Sequence, residues 1–214
     1  MARIARALSL IALVGLVLTG PRPAGAGAPT DQLRAQIDRV VKLLEDPELK
    51  KEGKQKERRA AVRQVANDIF DFSETAKRSL ARHWATRTPA EREEFVQLFT
   101  DLLERSYFSR IELYGGEKIQ FVGEALDGET AIVRTRLVTK QGTEIPVDYR
   151  MLHKGEKWLV YDVVIEGVSL IANYRTQFNK IITTSSYQEL MRKMRTKMEE
   201  FIEEEKHKRT SWLR

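Results

Sequence analysis

Three histidines, no cysteine, and scattered serines and carboxylates are the groups in this chain that could do covalent or metal chemistry. The absence of Cys excludes thiolate metal sites, a Cys nucleophile and a disulfide framework. His83 precedes Trp84 near an expected helix end, His153 enters a hairpin turn, and His207 lies in a charged tail. No two of them have the H-x-x-x-H spacing that sets two imidazoles on one helix face, and no run of acids has calcium-loop spacing. Ser73, Ser106 and Ser169 lack the G-x-S-x-G context that exposes a nucleophilic serine on a sharp turn. Catalysis needs convergent polar groups, and here a single one stands out. Asp162 sits inside the otherwise apolar run Trp158–Ile165. A buried carboxylate must be paired or hydrogen-bonded. A catalytic acid is one reading of Asp162; a structural partner for an Arg or a nearby helix N-terminus is the preferred one.

The elements that would position these groups follow from periodicity. Leu33, Ile37, Val40, Val41 and Leu44 recur on one face of a helix over Asp31–Glu45, which Asp46-Pro47 ends. The run Lys50, Lys51, Lys54, Lys56, Arg58 and Arg59 reads as solvated helix ends or loop, and Val62, Val65, Ala66 and Ile69 mark the next helix. Asp71 can cap a short helix that reaches about His83. Thr88-Pro89-Ala90-Glu91 is a stronger start signal: N-cap, proline in the first turn, and return partner of a capping box. From Ile119 the period becomes two, with turns at Asp127-Gly128, Gln141-Gly142 and Lys154-Gly155. Short connections imply an antiparallel meander. Two helices over 168–208 finish the chain; the first carries Val168, Ile171, Tyr174 and Phe178, the second a stripe of Met191, Met194 and Met198. The expected class is α+β: a curved, four-stranded antiparallel meander (117–165) packed on one face by several helices, with a helical part at 30–112.

The first residues read as a leader. Arg3 and Arg6 supply a positive region, Leu8–Leu18 an apolar run of 11 residues, and Ala24-Gly25-Ala26 a small-residue cleavage site. The run is short of the roughly 20 apolar residues a membrane span needs. Residues 1–26 are therefore expected to be a signal peptide and 27–214 one secreted domain. Arg3, Arg6 and Arg22 leave with the leader, which lowers the net charge of +6 to about +3. That charge does not argue for nucleic acid, and no RNP or zinc-finger motif is present.

What the chain has in excess is apolar surface. The sheet offers Phe121, Val133, Leu137, Ile145, Val147, Tyr149, Met151, Tyr161, Val163 and Ile165; the helices offer Phe95, Phe99, Leu102, Tyr107, Val168, Ile171, Tyr174 and Phe178. Periodicity does not separate a core that fills itself from one left open for a ligand.

The run Trp158-Leu159-Val160-Tyr161-Asp162-Val163-Val164-Ile165-Glu166-Gly167-Val168-Ser169-Leu170 resembles the strand-to-helix signature of MlaC-type proteins. Thr88-Pro89-Ala90-Glu91-Arg92 leading into Phe95, Phe99, Leu102, Leu103 and Tyr107, and Tyr187-Gln188-Glu189-Leu190 with Met194, are similar to that family's helices. The resemblance covers roughly 30–202; the lysine- and glutamate-rich end after Ile202 and the charge run at 48–59 lie outside the pattern. It implies a periplasmic, non-enzymatic phospholipid carrier with no cofactor. Such a carrier holds acyl chains in an apolar pocket between sheet and helices, lined by the sheet and helix residues just named. The partners it implies are an outer-membrane lipoprotein complex and an inner-membrane ABC transporter with its substrate-binding ring protein. Two readings from other classes stand beside it: an enzyme on a nuclear-transport-factor-like cone, with Asp162 as thin support, and a periplasmic chaperone or adaptor that binds protein.

Overall fold

Helix α1 (Ala28–Glu45) buries Leu33 and Leu44, the face that its apolar spacing marks out. A computed structural model describes residues 28–211, so the leader expected at 1–26 lies outside the described residues. Asp46 both ends α1 and begins α2 (Pro47–Lys50): its carboxylate accepts from the backbone N–H of Glu48 at 2.7 Å, with Pro47 in the first turn. The charge run spans the end of α2, the turn after it and the first turns of α3 (Gln55–Ile69), which buries Val62, Val65 and Ile69. Asp71 caps α4 (Phe72–Leu80) by accepting from Glu74 N–H at 2.9 Å. A short 3-10 turn, Ala81–Trp84, follows. The capping box before α5 (Pro89–Glu112) forms in both directions: Thr88 N–H donates to Glu91 at 2.8 Å and Glu91 N–H to the Thr88 hydroxyl at 3.2 Å. The Thr88 N–H is also the main cause holding the Glu91 carboxyl below its ordinary pKa.

The sheet has five strands in sequence order: β1 (Lys118–Asp127), β2 (Thr130–Val138), β3 (Glu144–Lys154), β4 (Lys157–Ile165) and β5 (Val168–Ser169). All adjacent pairs are antiparallel, so the α+β meander is as expected, with one added strand. That strand corrects the reading of Val168 as helical. Glu166 and Gly167 take φ of 50° and 80°, and Ile165 pairs with Val168 across them. Two consecutive positive φ values make the tight primed turn that suits strand twist. Val168 therefore extends the sheet, and α6 (Leu170–Thr184) begins only after Ser169, whose hydroxyl accepts from Ala172 N–H at 3.0 Å. Helix α7 (Tyr187–Ser211) follows.

Two bulges interrupt the ladder, between Phe121 and Gly123 on β1 and opposite Arg150/Met151 on β4. The second corrects the expected alternation Tyr161, Val163, Ile165. Met151 pairs with Val160 and Arg150 with Asp162, which leaves Tyr161 as the extra residue. At this point the outer edge of β4 is taken by the α3–α4 junction. Asp71 N–H donates to Val160 C=O at 2.8 Å, and the Thr75 hydroxyl donates to Tyr161 C=O at 2.9 Å. Lys154 makes an ion pair with Asp71. The edge that would otherwise template further pairing is thus covered by α4 at one point and by β5 at another.

Among the described residues three apolar clusters hold these layers, the smallest of them joining Leu44 of α1 to Val62 of α3. Of the larger two, one packs Leu33 of α1 and Ile69 of α3 on Ala131, Val133, Met151 and Val160 of the sheet. The other lies among α4 to α7, with Leu80, Phe95, Phe99, Phe178, Leu190, Met191 and Met194 closed to solvent. The methionine stripe on α7 is core. Ion pairs of Arg58 with Glu112 (2.6 Å) and of Arg63 with Asp101 (2.7 Å) tie α3 to α5.

Candidate functional site

Cross-strand register sets three apolar rows on the sheet face that α1 and α3 cover. Ala131, Met151 and Val160 form one row; Val133, Tyr149 and Val163 the next; Phe121, Thr135, Val147 and Ile165 the third. Directly opposed residues share a face. Burial falls from row to row. The first is closed, at 2%, 0% and 0% exposure. In the second, Val133 is closed while Tyr149 and Val163 are half-buried; in the third, Thr135 is closed at 2%, Phe121 and Val147 are half-buried and Ile165 is 41% exposed. Beyond it, Leu137 and Ile145 pair and are also half-buried. Thr135 is no polar break, because its hydroxyl donates to Val147 C=O at 2.8 Å. The face therefore runs from a sealed core under α1 and α3 to accessible apolar surface where β4 turns into β5.

Tyr149 lies in the middle of this gradient. Its ring packs against the cluster formed with Leu33 and Ile69. Desolvation pushes its phenol up to about 12. None of the hydrogen bonds among the described residues involves its hydroxyl.

The helical candidates come together elsewhere. Phe95, Phe99, Tyr174 and Phe178 form an aromatic cluster with centroid distances of 5.0–5.7 Å, three of the contacts edge-on. Phe95, Phe99, Leu102 and Phe178 are buried within it, Ile171 is buried at the start of α6, and Tyr107 and Tyr174 lie at the cluster's margin. Desolvation, and then the Tyr107 hydroxyl, push the Tyr174 phenol up to about 12. Sheet and helix candidates thus belong to two clusters.

Tyr161, displaced by the bulge, joins the opposite side of β3 and β4. There a groove of about 570 Å³ is lined by Glu74, Lys77, Arg78, Trp84, Arg150, Asp162, Ser169 and Arg175 among others. Arg78 stacks over the Tyr161 ring at 4.0 Å. Asp162 accepts from Arg150 at 3.0 Å, from the Ser169 hydroxyl at 2.7 Å and from Ile171 N–H at 3.0 Å. Both structural partners expected for it, an Arg and a helix N-terminus, are present. The sequence reading missed this groove, because Arg78, Trp84 and Arg150 belong to separate elements. The histidines stay apart: His83 meets Asn179 at 3.1 Å, His153 lies over Trp158 at 4.8 Å, and His207 is exposed on α7. Among the described residues no group of three His, Asp or Glu could hold a metal ion, and no helix is long and apolar enough to cross a membrane.

The sequence model of the MlaC protein family matches residues 34–196. The chain is similar to the intermembrane phospholipid transport system binding protein MlaC of Haemophilus influenzae, at 25% identity over 138 residues, covering 61% of this chain and 64% of that protein. It is also similar to the toluene tolerance protein ttg2D of Pseudomonas putida, at 24% identity over 120 residues, covering 55% and 56%. The chain thus spans less than two thirds of the length of either curated relative. Among solved structures it is similar to a phospholipid-binding protein from Ralstonia solanacearum determined in complex with a phospholipid. There the TM-score is 0.74 at 22% identity, covering 82% of this chain and 99% of that one. At that identity the likeness speaks for a shared fold.

Proposed function

The chain belongs to the MlaC family, and from that premise we propose that it is a phospholipid carrier, not an enzyme, whose acyl chains lie on the open half of the apolar sheet face. The observation that carries this reading is the burial gradient itself. Tyr149, Val163, Phe121, Val147 and Ile165 are apolar or aromatic, share one face, and are not sealed by the helices that seal the row beside them. The names of the relatives, which describe phospholipid transport and phospholipid binding, support the same ligand.

Energetics give the reading its mechanism. Each CH₂ taken out of water contributes about 0.8 kcal/mol. Two acyl chains with roughly 30 CH₂ groups would gain on the order of 20 kcal/mol. Escape of such a lipid into buffer is very slow, so release requires docking on a partner that offers a second apolar path. In this reading the chain is exported by its leader to the periplasm. There it shuttles lipid between an outer-membrane lipoprotein complex and an inner-membrane ABC transporter with its substrate-binding ring. The helical candidates Phe95, Phe99, Leu102 and Phe178 support the pocket by holding α5 and α6 rigid, and Tyr107, Ile171 and Tyr174 sit at its margin. Val168 and Leu137, at the open end of the sheet, belong to the mouth.

Native mass spectrometry of the protein purified without detergent tests the proposal. The expected species carries the mass of diacyl phospholipid, and organic extraction returns a mixture of headgroups. A chain that is free of lipid as isolated, and stays so after incubation with phospholipid vesicles, overturns it.

A further inference from the structure

We infer that Tyr149 is a specificity residue whose hydroxyl donates a hydrogen bond to an ester carbonyl of the bound lipid. The inference rests on the carrier reading and adds the chemical group that the site recognises.

The argument begins with what surrounds the hydroxyl. Tyr149 is flanked across the ladder by Val133 and Val163 and follows Val147 and precedes Met151 on its own face. All four are apolar. A hydroxyl set among such side chains is costly unless it is hydrogen-bonded. Elsewhere this fold meets that requirement: Tyr187 donates to Glu91 C=O at 3.1 Å, Tyr114 to Glu117 C=O at 3.1 Å, and Thr135 to Val147 C=O at 2.8 Å. Tyr149 has no such partner among the described residues. The Tyr149 hydroxyl is not among the sealed side-chain atoms that lack a hydrogen bond, so it keeps an opening toward solvent that a phenylalanine would not use. The ring is likewise half-buried rather than sealed, in the row where the closed core gives way to open surface. A guest lying on that surface can reach the oxygen.

The chemistry of the acceptor follows from the walls. Charged side chains meet this face at its β1 margin, where Glu124 accepts from Thr30 at 2.6 Å and Arg34 stacks over Phe121 at 3.9 Å. A phosphate brought to the middle of the face would be stripped of water without a counter-charge. A neutral carbonyl asks for one donor and little solvation, and a diacyl lipid carries two, each at the head of an acyl chain. The phenol stays protonated over the ordinary pH range, because desolvation raises it, and so it keeps a hydrogen to donate.

The test offers the full chain vesicles containing equal parts of a diacyl glycerophosphocholine and its dialkyl ether analogue, with matched chain lengths. Bound lipid is then quantified by mass spectrometry. The wild type is expected to take up the diester about five-fold over the diether, the scale of one neutral hydrogen bond. Tyr149→Phe is expected to bind a similar total with a ratio near one. Tyr187→Phe, which loses a hydroxyl in the helix cluster, is expected to keep the wild-type ratio. A Tyr149→Phe protein that still prefers the diester to the wild-type extent overturns the inference and leaves the carrier reading standing. A wild type that binds lipid without preference overturns it in the same way. A wild type that binds neither lipid removes the carrier reading, and the inference with it.

Discussion

The Asp162 carboxylate stands 3.0 Å from the backbone N–H of Ile171, so a residue of β4 satisfies the N-terminus of α6 directly. The same carboxylate takes the Ser169 hydroxyl at 2.7 Å, and that hydroxyl in turn accepts from Ala172 N–H at 3.0 Å. One side chain therefore joins strand, cap and helix. Asp162 is buried at 3% exposure, and Arg150 supplies its counter-charge from the rim of the groove.

Removing the hub should cost more than removing the cap. Asp162→Ala leaves the Ser169 hydroxyl, the Ile171 amide and the Arg150 guanidinium without their acceptor, a loss of about 2–4 kcal/mol. Ser169→Ala removes one cap while Asp162 still holds Ile171, a loss of about 1 kcal/mol. Urea unfolding of the two variants beside wild type measures both. Equal losses would show that the carboxylate acts only through Ser169.

Two valines on the same row should respond differently to enlargement. Val133 is fully closed beneath α1 and α3, so Val133→Trp overpacks the core and costs about 1–3 kcal/mol or more. Val163, paired with Tyr149 one strand away, is half-buried. Val163→Trp is expected to lose less than half as much stability and to occupy the space assigned to acyl chains. Thermal unfolding and lipid content of the purified proteins, measured together, check this. A Val163→Trp protein with wild-type lipid content would move the pocket away from this row.

What was legible in the sequence was local. Thr88 with Glu91 and Asp71 with Glu74 form within four residues of chain, and each was readable from residue type and offset alone. The meander was legible because its turns carry glycine where φ is positive, as at Gly128 and Gly155. Tyr161 was misplaced because a bulge is decided by the partner strand; nothing in Val160-Tyr161-Asp162 marks which residue the ladder will skip. Val168 has helical spacing to Ile171, while the Glu166-Gly167 turn returns it to the sheet. The division of apolar residues between the sheet cluster and the helix cluster was also illegible. Periodicity names the face that Phe95 or Val147 occupies, and the covering element comes from chain far away.

The β4–β5 turn should be sensitive to backbone shape alone. Gly167 holds φ of 80°, and a Cβ placed on it meets nothing within 4 Å. Gly167→Val therefore carries only the left-handed backbone penalty, about 1–2 kcal/mol for a residue that resists that region. Gly167→Asn, which tolerates it better, should lose less than half of that. Because the turn fixes where β5 begins and so where α6 follows, lipid retention is expected to fall in Gly167→Val more than this loss of stability explains. Unfolding midpoints and lipid content of both variants test the pair; equal lipid content in Gly167→Val and wild type would limit the turn to a structural role.

Alkaline pH should weaken the fold through its enclosed tyrosines. Desolvation raises Tyr149, Tyr174 and Tyr187 from an ordinary value of 10.0 to about 12 each. The sign follows from proton counts. Between pH 10 and 12 the unfolded chain has released these protons and the folded chain still holds them, so stability falls as pH rises. The contribution is complete below about pH 10 and is lost as pH passes through about 12. One such group removes about 1 kcal/mol by pH 11. Tyr149→Phe has no proton to release, so its stability is expected to fall less steeply than wild type between pH 9 and 11, by about that amount. Urea midpoints of both proteins at the two pH values measure the difference. Parallel losses in wild type and Tyr149→Phe would mean that the phenol of Tyr149 is solvated in the folded chain, and the donor assigned to it would have no dry site in which to act.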